Sequence, residues 1–476
     1  MYRFRWVYCQ LETLRHCFPP NLRQFLNELP ESLDETYERI LRNINKAQKE
    51  DARRLLQCLT VAARPLRVEE LAELLAFDFQ TTGERGIPTL KEDWRWNDEE
   101  QAVLSTCSSL ITIVRNGRSR VVQFSHFSVK EYLTSPRLAQ SHGDVSRFYV
   151  DLNAAHTILA QACLGTLLRL GDHGAGKSGS KGFPLAEYAA RHCLEHAQFE
   201  DVSSRVWDGI DDLFNSSKPH FSAWVRIYDM DERWGDFGCA SRDGVGSPLY
   251  YAAFCGFYDL AERLIMKHPE QVNAAGGLIL TPLFAALSKR HFRIADLLWR
   301  HGAVVDIRDH EQWTPLYEAA RTGCVDIMRW LLDHGADASA QTDLGRLSLH
   351  RAAFNENLEA VELLLEYNPD IDLRDNYGDT PLHDILVRIG PSTEGKVVEI
   401  VRRLLEYGAD PNIRPRSGST PLHQASSCGS LEVARLLLSH GANVDGQDDD
   451  GRTPLQVASS DELRKLLLDH GAVSPP

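Results

Sequence analysis

Leucine, alanine and valine recur with helical spacing through the second half of the chain, and the pattern repeats at a nearly constant interval. Each period holds a short segment with two adjacent small residues, such as Ala319-Ala320, and then a leucine-rich run, such as 327–332. Apolar residues at this spacing lie on one face of an α-helix. Glycine and aspartate separate the apolar runs and are typical of turns. The pattern therefore predicts a series of short helix pairs joined by turns.

One four-residue segment, Thr-Pro-Leu-His or a close variant, opens each period. Threonine is a good N-cap, and proline suits the first helical position because its missing N–H is not needed there. A glycine follows most of the leucine-rich runs, and there it is expected to adopt the left-handed conformation that ends a helix. The segments begin, in steps of 34, 33, 33, 33, 40 and 33 residues, at Ser247, Thr281, Thr314, Leu347, Thr380, Thr420 and Thr453.

A period near 33 residues with this segment at a fixed phase resembles the ankyrin repeat family. The resemblance covers about residues 240–473 and implies a solenoid of stacked helix pairs that offers its concave surface to a protein partner. The step of 40 residues places an insertion around 389–395 between the two helices of the fifth unit. We assign residues 236–476 to the array, with units at about 243–276, 277–309, 310–342, 343–375, 376–415, 416–448 and 449–473.

Residues 46–140 combine helical and strand patterns. An Asn116-Gly117 pair between two β-branched runs predicts a hairpin. Three helices with a hairpin form a winged-helix layout, and the stretch from Leu55 to Ser128 resembles the domain type named GPI inositol-deacylase winged helix, which follows NACHT domains; no deacylase activity is carried over. The predicted helices are 52–62, 68–75, 98–106 and 127–133, and the predicted strands are 110–114 and 120–125.

Two features of this domain invite a functional interpretation. His126 lies between Ser125 and Ser128, but no G-x-S-x-G turn surrounds them, so we expect Ser128 to cap the helix that follows, with Glu131 at capping-box spacing. A winged helix can also bind DNA through a basic helix. The helix predicted at 68–75 is acidic instead, and we expect it to pack against neighbouring domains.

Residues 1–45 contain two stretches of specific residues. Phe4-Arg5-Trp6-Val7 and the stretch 29–41, with Ser32 and Glu35 at capping-box spacing, resemble the C-terminal boundary of a NACHT nucleotide-binding domain, in the version found in fungal NLR-like proteins with ankyrin repeats. The resemblance implies an NTPase core before this boundary. Since Met1 falls inside it, we expect either a truncated gene product or a relative that lacks the core.

Residues 141–235 are predicted to be a helical connector with a glycine-rich loop at 171–182. The loop satisfies G-x-x-x-x-G-K-[ST] through Gly171, Gly176, Lys177 and Ser178, the pattern that cradles phosphates in a P-loop. A P-loop needs a buried strand before it and a helix immediately after it. Here a helical pattern precedes the loop and Gly and Pro follow, so we interpret it as a flexible linker. An ATPase that uses Lys177 stays open as an alternative.

Charge and cysteine content narrow the function further. From Asp236 onward 23 Lys and Arg stand against 35 Asp and Glu, a net charge of −12 in a chain whose total is −15. An acidic array repels phosphate backbones, so nucleic acid is not expected as a ligand. The 10 cysteines show no C-x-x-C pair or zinc spacing, and no apolar run approaches a membrane span. We expect an intracellular, cytoplasmic protein with no metal or cofactor.

The sequence as a whole predicts a mainly α protein: a winged-helix α+β domain, a helical connector and a C-terminal ankyrin-repeat solenoid of seven units. We expect a non-enzymatic scaffold without catalytic residues, the recognition and coupling part of a NACHT–ankyrin signalling protein; an ankyrin substrate adaptor for a modifying enzyme is a further alternative. Aromatic residues and arginine dominate interface energies. The candidate partner-binding residues, in the third to fifth units, are Trp313, Tyr317, Arg321, Arg346, Arg351, Phe354 and Tyr377.

Overall fold

The computed structural model divides the chain into two compact units, residues 1–248 and 249–476. The NACHT-like residues up to 31, the P-loop pattern with Lys177 and part of the fifth-unit insertion lie outside the residues that the structure describes. The described residues are 32–82, 86–107, 109–117, 119–141, 143–170, 182–227, 246–276, 281–309, 311–367, 369–390 and 393–473.

The first unit is mostly helical. Its first helix is capped as predicted, because the Ser32 hydroxyl accepts a hydrogen bond from the Glu35 N–H at 3.1 Å. The ten α-helices of its described residues are α1 Leu33–Arg42, α2 Lys49–Val61, α3 Val68–Leu75, α4 Glu99–Cys107, α5 Phe127–Leu133, α6 Pro136–Ala139, α7 Leu152–Leu170, α8 Ala186–Ala197, α9 Val202–Leu213 and α10 Pro219–Ile227.

Two antiparallel sheets accompany these helices. The first sheet has three strands in the order β1-β5-β4: β1 Leu66–Arg67, β4 Ile111–Asn116 and β5 Ser119–Phe124. Val122 of β5 pairs with Leu66 on one side and with Ile113 on the other. The predicted hairpin turn at Asn116-Gly117 is present, with Gly117 at φ +60°. The second sheet pairs β2 Phe77–Thr82 with β3 Pro88–Leu90. The sequence interpretation missed this second hairpin.

Helix α7 is the centre of the first unit, since α2, α8, α9, α10 and strand β3 all pack against it. The helix is long and most of its apolar residues are buried, Leu159 and Leu164 fully. Gly165 permits the close approach of β2, because a Cβ at this position would lie 2.8 Å from Phe77 Cε1. The residues before the glycine-rich loop are therefore one buried helix rather than a strand.

The second unit consists of seven helix pairs, as predicted. The first helices of successive pairs from the third onward pack side by side, as do the second helices of most successive pairs. Helix α20 is longer than the equivalent second helices, because part of the insertion extends it. The pairs are α11 Pro248–Cys255 with α12 Tyr258–Lys267, α13 Pro282–Ser288 with α14 Phe292–Arg300, α15 Pro315–Thr322 with α16 Val325–Asp333, α17 Ser348–Phe354 with α18 Leu358–Glu366, α19 Pro381–Leu386 with α20 Glu394–Glu406, α21 Pro421–Cys428 with α22 Leu431–Ser439, and α23 Pro454–Val457 with α24 Asp461–Asp469.

The threonine of the opening segment caps its helix in two ways. Thr281 and Thr314 follow the prediction, since each hydroxyl accepts from the backbone N–H three residues later. In the fifth and sixth units, however, a histidine occupies the fourth position, and the hydroxyls of Thr380 and Thr420 pair with Nδ1 of His383 and His423 at 2.8 and 2.7 Å. In these two units the imidazole is therefore the partner of the threonine hydroxyl, in the place where we expected the backbone N–H.

Aspartates hold the turns that join the units. Asp375 Oδ1 accepts from the N–H groups of Tyr377 and Asp379 at 2.8 and 3.0 Å, and Asp448 makes the equivalent pair of bonds two units later. The glycines that follow the leucine-rich runs have left-handed backbones, as predicted: Gly302, Gly335, Gly408, Gly441 and Gly471, with φ between +87° and +98°.

Candidate functional site

Four of the predicted binding residues lie together on the first helices of the third and fourth units. Trp313 precedes α15 and Tyr317 lies on it, with ring centroids 5.2 Å apart. Arg351 and Phe354 lie on the neighbouring helix α17. The Arg351 guanidinium carbon is 5.7, 5.9 and 6.0 Å from the ring centroids of Trp313, Tyr317 and Phe354. We call these four residues the aromatic–arginine cluster.

The helical repeat explains why these four side chains meet. Trp313 stands one residue before the opening Thr314, Tyr317 is the fourth residue of that segment, and Arg351 directly follows the opening segment of the next unit. Because α15 and α17 pack side by side, residues at these positions face one another across the helix pair. Tyr317 is buried, while Trp313, Arg351 and Phe354 remain half-buried. A cation held over aromatic faces contributes roughly 0.5–2 kcal/mol, according to its desolvation.

The hydrogen bonding of Arg351 is incomplete. Its Nε is buried and has no hydrogen-bond partner, and within the described residues its guanidinium forms no ion pair with a carboxylate. Nearby acids do not fill this gap. Glu318 is held by Arg321, and Asp384 lies 3.6 Å from Arg346. A guanidinium has five N–H donors, so Arg351 retains donors that this chain leaves unused.

Two other predicted residues are committed to ion pairs within the chain. Arg346 Nε donates to Asp375 Oδ2 at 2.9 Å, and the Asp375 carboxylate is itself part of the turn described above. Arg321 is bidentate with Glu318, with nitrogen–oxygen distances of 2.7 to 3.0 Å. Paired guanidinium groups of this kind fix the local backbone and leave less capacity for a ligand.

Tyr377 is at a turn between the fourth and fifth units, and its side chain is 56% exposed. Its carbonyl oxygen accepts from the Arg416 N–H at 2.9 Å, which links successive turns. None of the ring contacts among the described residues joins Tyr377 to the aromatic–arginine cluster. The structure therefore separates this residue from the aromatic–arginine cluster, although its N–H shares Asp375 with Arg346.

Arg388 is a neighbour of the cluster that sequence reasoning missed. Its guanidinium carbon lies 5.3 Å from the Phe354 ring centroid, and its Nε is 3.3 Å from Glu356 Oε1. The same kind of contact occurs at the equivalent positions three units earlier, where Lys289 Nζ lies 4.4 Å from the centroid of the Phe254 ring. Comparing equivalent positions of successive units would have found both pairs.

Phe254 and Phe354 are the seventh residues of their units' first helices, counted from Pro248 and Ser348, and each cation stands one position further along the next unit.

Asp384 is a second feature that the sequence did not reveal. It lies on α19, is almost fully buried, and its Oδ2 has no hydrogen-bond partner. Burial raises the pKa of Asp384 to about 7, against the opposing effect of Arg346, and the carboxylates of Asp375 and Asp379 raise it further. A carboxyl group with this pKa is partly protonated near neutral pH, so it compensates Arg346 and Arg351 only in part.

The acidic helix of the first unit is committed to packing, as we expected. Glu70 on α3 is fully buried and accepts hydrogen bonds from Arg64 at 2.6 and 2.8 Å and from Arg67 Nε at 2.8 Å. Glu73 accepts from the backbone N–H of Leu185 at 2.9 Å, just before α8. Helix α3 is thereby tied to the connector, and the two carboxylates take part in that packing.

The predicted cap at Ser128 is wrong. The N-cap of α5 is His126, whose Nδ1 accepts from the Ser128 N–H at 3.2 Å. Ser128 lies inside the helix and is buried, and its hydroxyl is 2.8 Å from the Tyr37 hydroxyl and 2.5 Å from His126 Nδ1. The imidazole can cap because its ring nitrogen reaches the same N–H that a serine oxygen would. The serine is used to join α5 to α1.

The structure bears on the remaining chemical candidates only in part. The P-loop pattern with Gly171, Gly176, Lys177 and Ser178 lies outside the described residues, and the helix α7 precedes it where a P-loop has a strand. Across the described ranges, no group of His, Cys, Asp or Glu is placed to hold a metal ion. Within the same ranges, no helix is both long and apolar enough to cross a membrane.

Two family models match the chain. The model described as "Ankyrin repeats (3 copies)" matches residues 249–342, 334–388 and 385–474. The model described as "GPI inositol-deacylase, winged helix domain" matches residues 37–145. The solved ankyrin repeat domain of Bcl-3, described as a unique member of the IkappaB protein family, aligns at 30% identity with a TM-score of 0.43, over 47% of this chain and all of that one.

Curated relatives match over parts of their length. The azaphilone pigments biosynthesis cluster protein L of Monascus ruber is 33% identical over 299 residues, which cover 59% of this chain and 61% of that protein. The ankyrin repeat protein nuc-2 of Neurospora crassa is 32% identical over 38% of this chain and 17% of its own length. The chain thus spans less than two thirds of either relative. Its residues 249–474 carry ankyrin repeats and its residues 37–145 a winged-helix domain of the GPI inositol-deacylase type, and the repeats indicate a scaffold for protein–protein interaction.

Proposed function

We propose that the chain binds a protein partner through the aromatic–arginine cluster on the first helices of its third and fourth ankyrin units. The observation that supports this site is the stacking of Arg351 over three rings on two neighbouring helices, with Trp313 and Phe354 still half-buried. Aromatic and arginine side chains that are partly exposed on a rigid scaffold are the usual anchors of an interface. First helices line the concave surface of ankyrin solenoids, so the partner would lie in that groove.

We also propose that the first unit couples this recognition to the rest of a NACHT–ankyrin signalling protein, without catalysis of its own. The ties between α3 and the connector support this role, because Glu73 with Leu185 and Arg67 with Glu187 hold the winged helix to α8. A mechanical link of this kind transmits a displacement instead of absorbing it. An intracellular location fits the described cysteines, all of which are free thiols.

The test is a selection of random peptides displayed on phage against the immobilised full chain. Peptides recovered on the wild type are then titrated against Trp313→Ala and against Trp299→Ala. Trp299 is a matched control, because it is 43% exposed on α14, a second helix of the same array. We expect Trp313→Ala to weaken binding at least about tenfold, as removal of an interface anchor does, and Trp299→Ala to leave it unchanged. Equal binding by wild type and Trp313→Ala would overturn the site.

The nucleotide alternative has its own measurement. Titration of the full chain with ATP and magnesium, followed by calorimetry, is expected to show no saturable binding. Binding that disappears in Lys177→Ala would replace the linker interpretation with an NTPase and would leave the repeat groove as a second function.

A further inference from the structure

Three arginines border the aromatic–arginine cluster, and each of them already has a carboxylate of this chain. Arg321 pairs with Glu318, Arg346 with Asp375 and Arg388 with Glu356. Arg351 is different. Within the described residues its guanidinium has no ion pair, and its buried Nε makes no hydrogen bond.

A buried N–H without an acceptor is unfavourable, and native proteins rarely contain one. At Arg351 the ring centroids of Trp313, Tyr317 and Phe354 lie 5.7 to 6.0 Å from the guanidinium carbon, and an aromatic ring does not replace the acceptors that the N–H groups need. The edges of the guanidinium, where the N–H groups lie, are the part that stays unused. A group that completes the site must therefore be a planar acceptor that approaches the edge, and a carboxylate has the geometry for two parallel N–H···O bonds.

We infer that the protein partner presents an aspartate or glutamate side chain to Arg351, next to an apolar residue that lies against Phe354. This inference rests on the proposed function and names the chemistry of its partner. The apolar neighbour is expected because the Phe354 ring is half-buried and its centroid lies 6.0 Å from the Arg351 guanidinium carbon. An acidic residue beside an apolar one thus matches both the charge and the surface of the site.

Charge complementarity favours a carboxylate over a phosphate. The cluster offers one cation that is not paired, whereas Glu318, Asp375 and Glu356 each neutralise another arginine. A carboxylate brings one negative charge, which Arg351 compensates. A phosphoryl group brings about −1.5 to −2 near neutral pH. Its second charge would face the acidic side chains of this array without a cation, and it would be repelled.

The experiment uses peptides from the same phage selection, synthesised in three forms. The first carries the selected Asp or Glu, the second replaces it by Asn or Gln, and the third by phosphoserine. Each is titrated against the full chain and against Arg351→Gln and Arg351→Lys. Arg293→Gln is the matched control, because Arg293 also stacks on an aromatic ring, with its guanidinium carbon 5.0 Å from the Tyr258 centroid, but away from the cluster.

We expect the acidic peptide to bind about 10–100-fold more weakly to Arg351→Gln, the range of a charge-assisted hydrogen-bonded pair. The amide peptide should bind both proteins equally weakly, and Arg293→Gln should match the wild type. Arg351→Lys should recover part of the affinity, since it keeps the charge and loses the bidentate geometry. Partial rescue by lysine also shows that the loss does not come from a disrupted fold.

Three results would overturn the inference. They are selected peptides without an acidic residue, equal weakening of the acidic and amide peptides by Arg351→Gln, and tighter binding of the phosphoserine form than of the acidic form. In each of these cases, continued loss of binding in Trp313→Ala would preserve the proposed site. Binding that is insensitive to Trp313→Ala would reject the proposed function itself, so the two failures are distinct.

Discussion

The two compact units stabilise their helices in different ways. In the second unit the same few devices recur in successive repeats: a proline at the first helical position, a capping threonine or histidine, an aspartate in the turn and a left-handed glycine. In the first unit the decisive contacts each occur once and join residues far apart in sequence. Glu73 with Leu185 and Tyr37 with Ser128 are examples.

This difference determines what each unit tolerates. A repeat array is stabilised by many similar neighbour contacts, so loss of one device removes a small part of the total. The first unit has buried polar groups whose partners come from distant elements. Removal of one partner leaves another buried group unsatisfied, which is more unfavourable than the loss of the bond alone. We therefore expect the largest effects of single substitutions in the first unit.

The substitution Glu70→Ala should have the largest effect. It leaves Arg64 and Arg67 without the carboxylate that they share and removes the acceptor for the Arg67 N–H at 2.8 Å. Breaking a buried ion pair typically costs 3–5 kcal/mol, and because both arginines are partly exposed we expect about 3 kcal/mol. Hydrogen exchange of the full chain, followed by mass spectrometry, should show faster exchange in α3 and no change in residues 249–473.

Glu187→Ala is the control for this prediction. Glu187 also pairs with Arg67, at 3.1 Å, but its side chain is 48% exposed. An exposed pair contributes about 0–1 kcal/mol. If the amides of α3 exchanged at the same rate in both variants, the first unit would not depend on its buried carboxylate. The contrast between the two units would then be lost.

The same contrast explains how much the sequence could predict. The opening segments fixed the seven helix pairs and their left-handed glycines, because each device is local and is repeated. Helices α3 and α7 followed from their apolar spacing. The ties of Glu73 depend on contacts between distant residues, which no local pattern contains. The hairpin of β2 and β3 and the capping by His126 are local, but the interpretation missed the first and assigned the cap to the neighbouring Ser128. Within the site, the spacing placed Trp313 and Tyr317 together, but the free edge of Arg351 and the burial of Asp384 became visible only in three dimensions.

Asp384→Asn tests a place where the repeat array departs from its own pattern. Burial raises the pKa of Asp384 from 3.8 to about 7, so the folded protein binds a proton between these pH values that the unfolded chain has released. Stability from this group is therefore present at low pH and is lost as pH rises from about 4 to 7. The asparagine variant lacks this loss, and we expect it to be more stable than the wild type above pH 7 by on the order of 2 kcal/mol.

Urea unfolding of the full chain at pH 5 and pH 8 measures this effect. The gain should appear at pH 8 and shrink at pH 5, where the wild-type carboxyl is already protonated in the fold. Arg346 keeps its bond to Asp375 at 2.9 Å in the variant, so its guanidinium is not left unpaired. A variant that is less stable than the wild type at pH 8 would show that the charge of Asp384 is required for the Arg346 pair.

His383→Gln should have the smallest of these effects, and with the opposite sign of pH dependence. Burial lowers the pKa of His383 to about 4, so between pH 6.5 and 4 the unfolded chain binds a proton that the fold excludes, and stability falls as pH falls. At pH 5.5 this loss is about 1 kcal/mol. Gln456 shows that glutamine can serve at this position, because its Oε1 accepts from the Thr453 N–H at 2.8 Å just as His383 Nδ1 accepts from Thr380.

The measurement is best made on Asp384→Asn, since Asp384 titrates in an overlapping range with the reverse sign and adjacent sites are not additive. In that background, His383→Gln should flatten the fall in urea midpoint between pH 7 and pH 5 without changing the midpoint at pH 7 by more than a small amount. An unchanged fall would mean that the acid sensitivity comes from other buried imidazoles, of which His350, with its pKa lowered by burial to about 4, is the first to test. Such a result would also show that a device repeated along the array does not have to contribute equally in each unit.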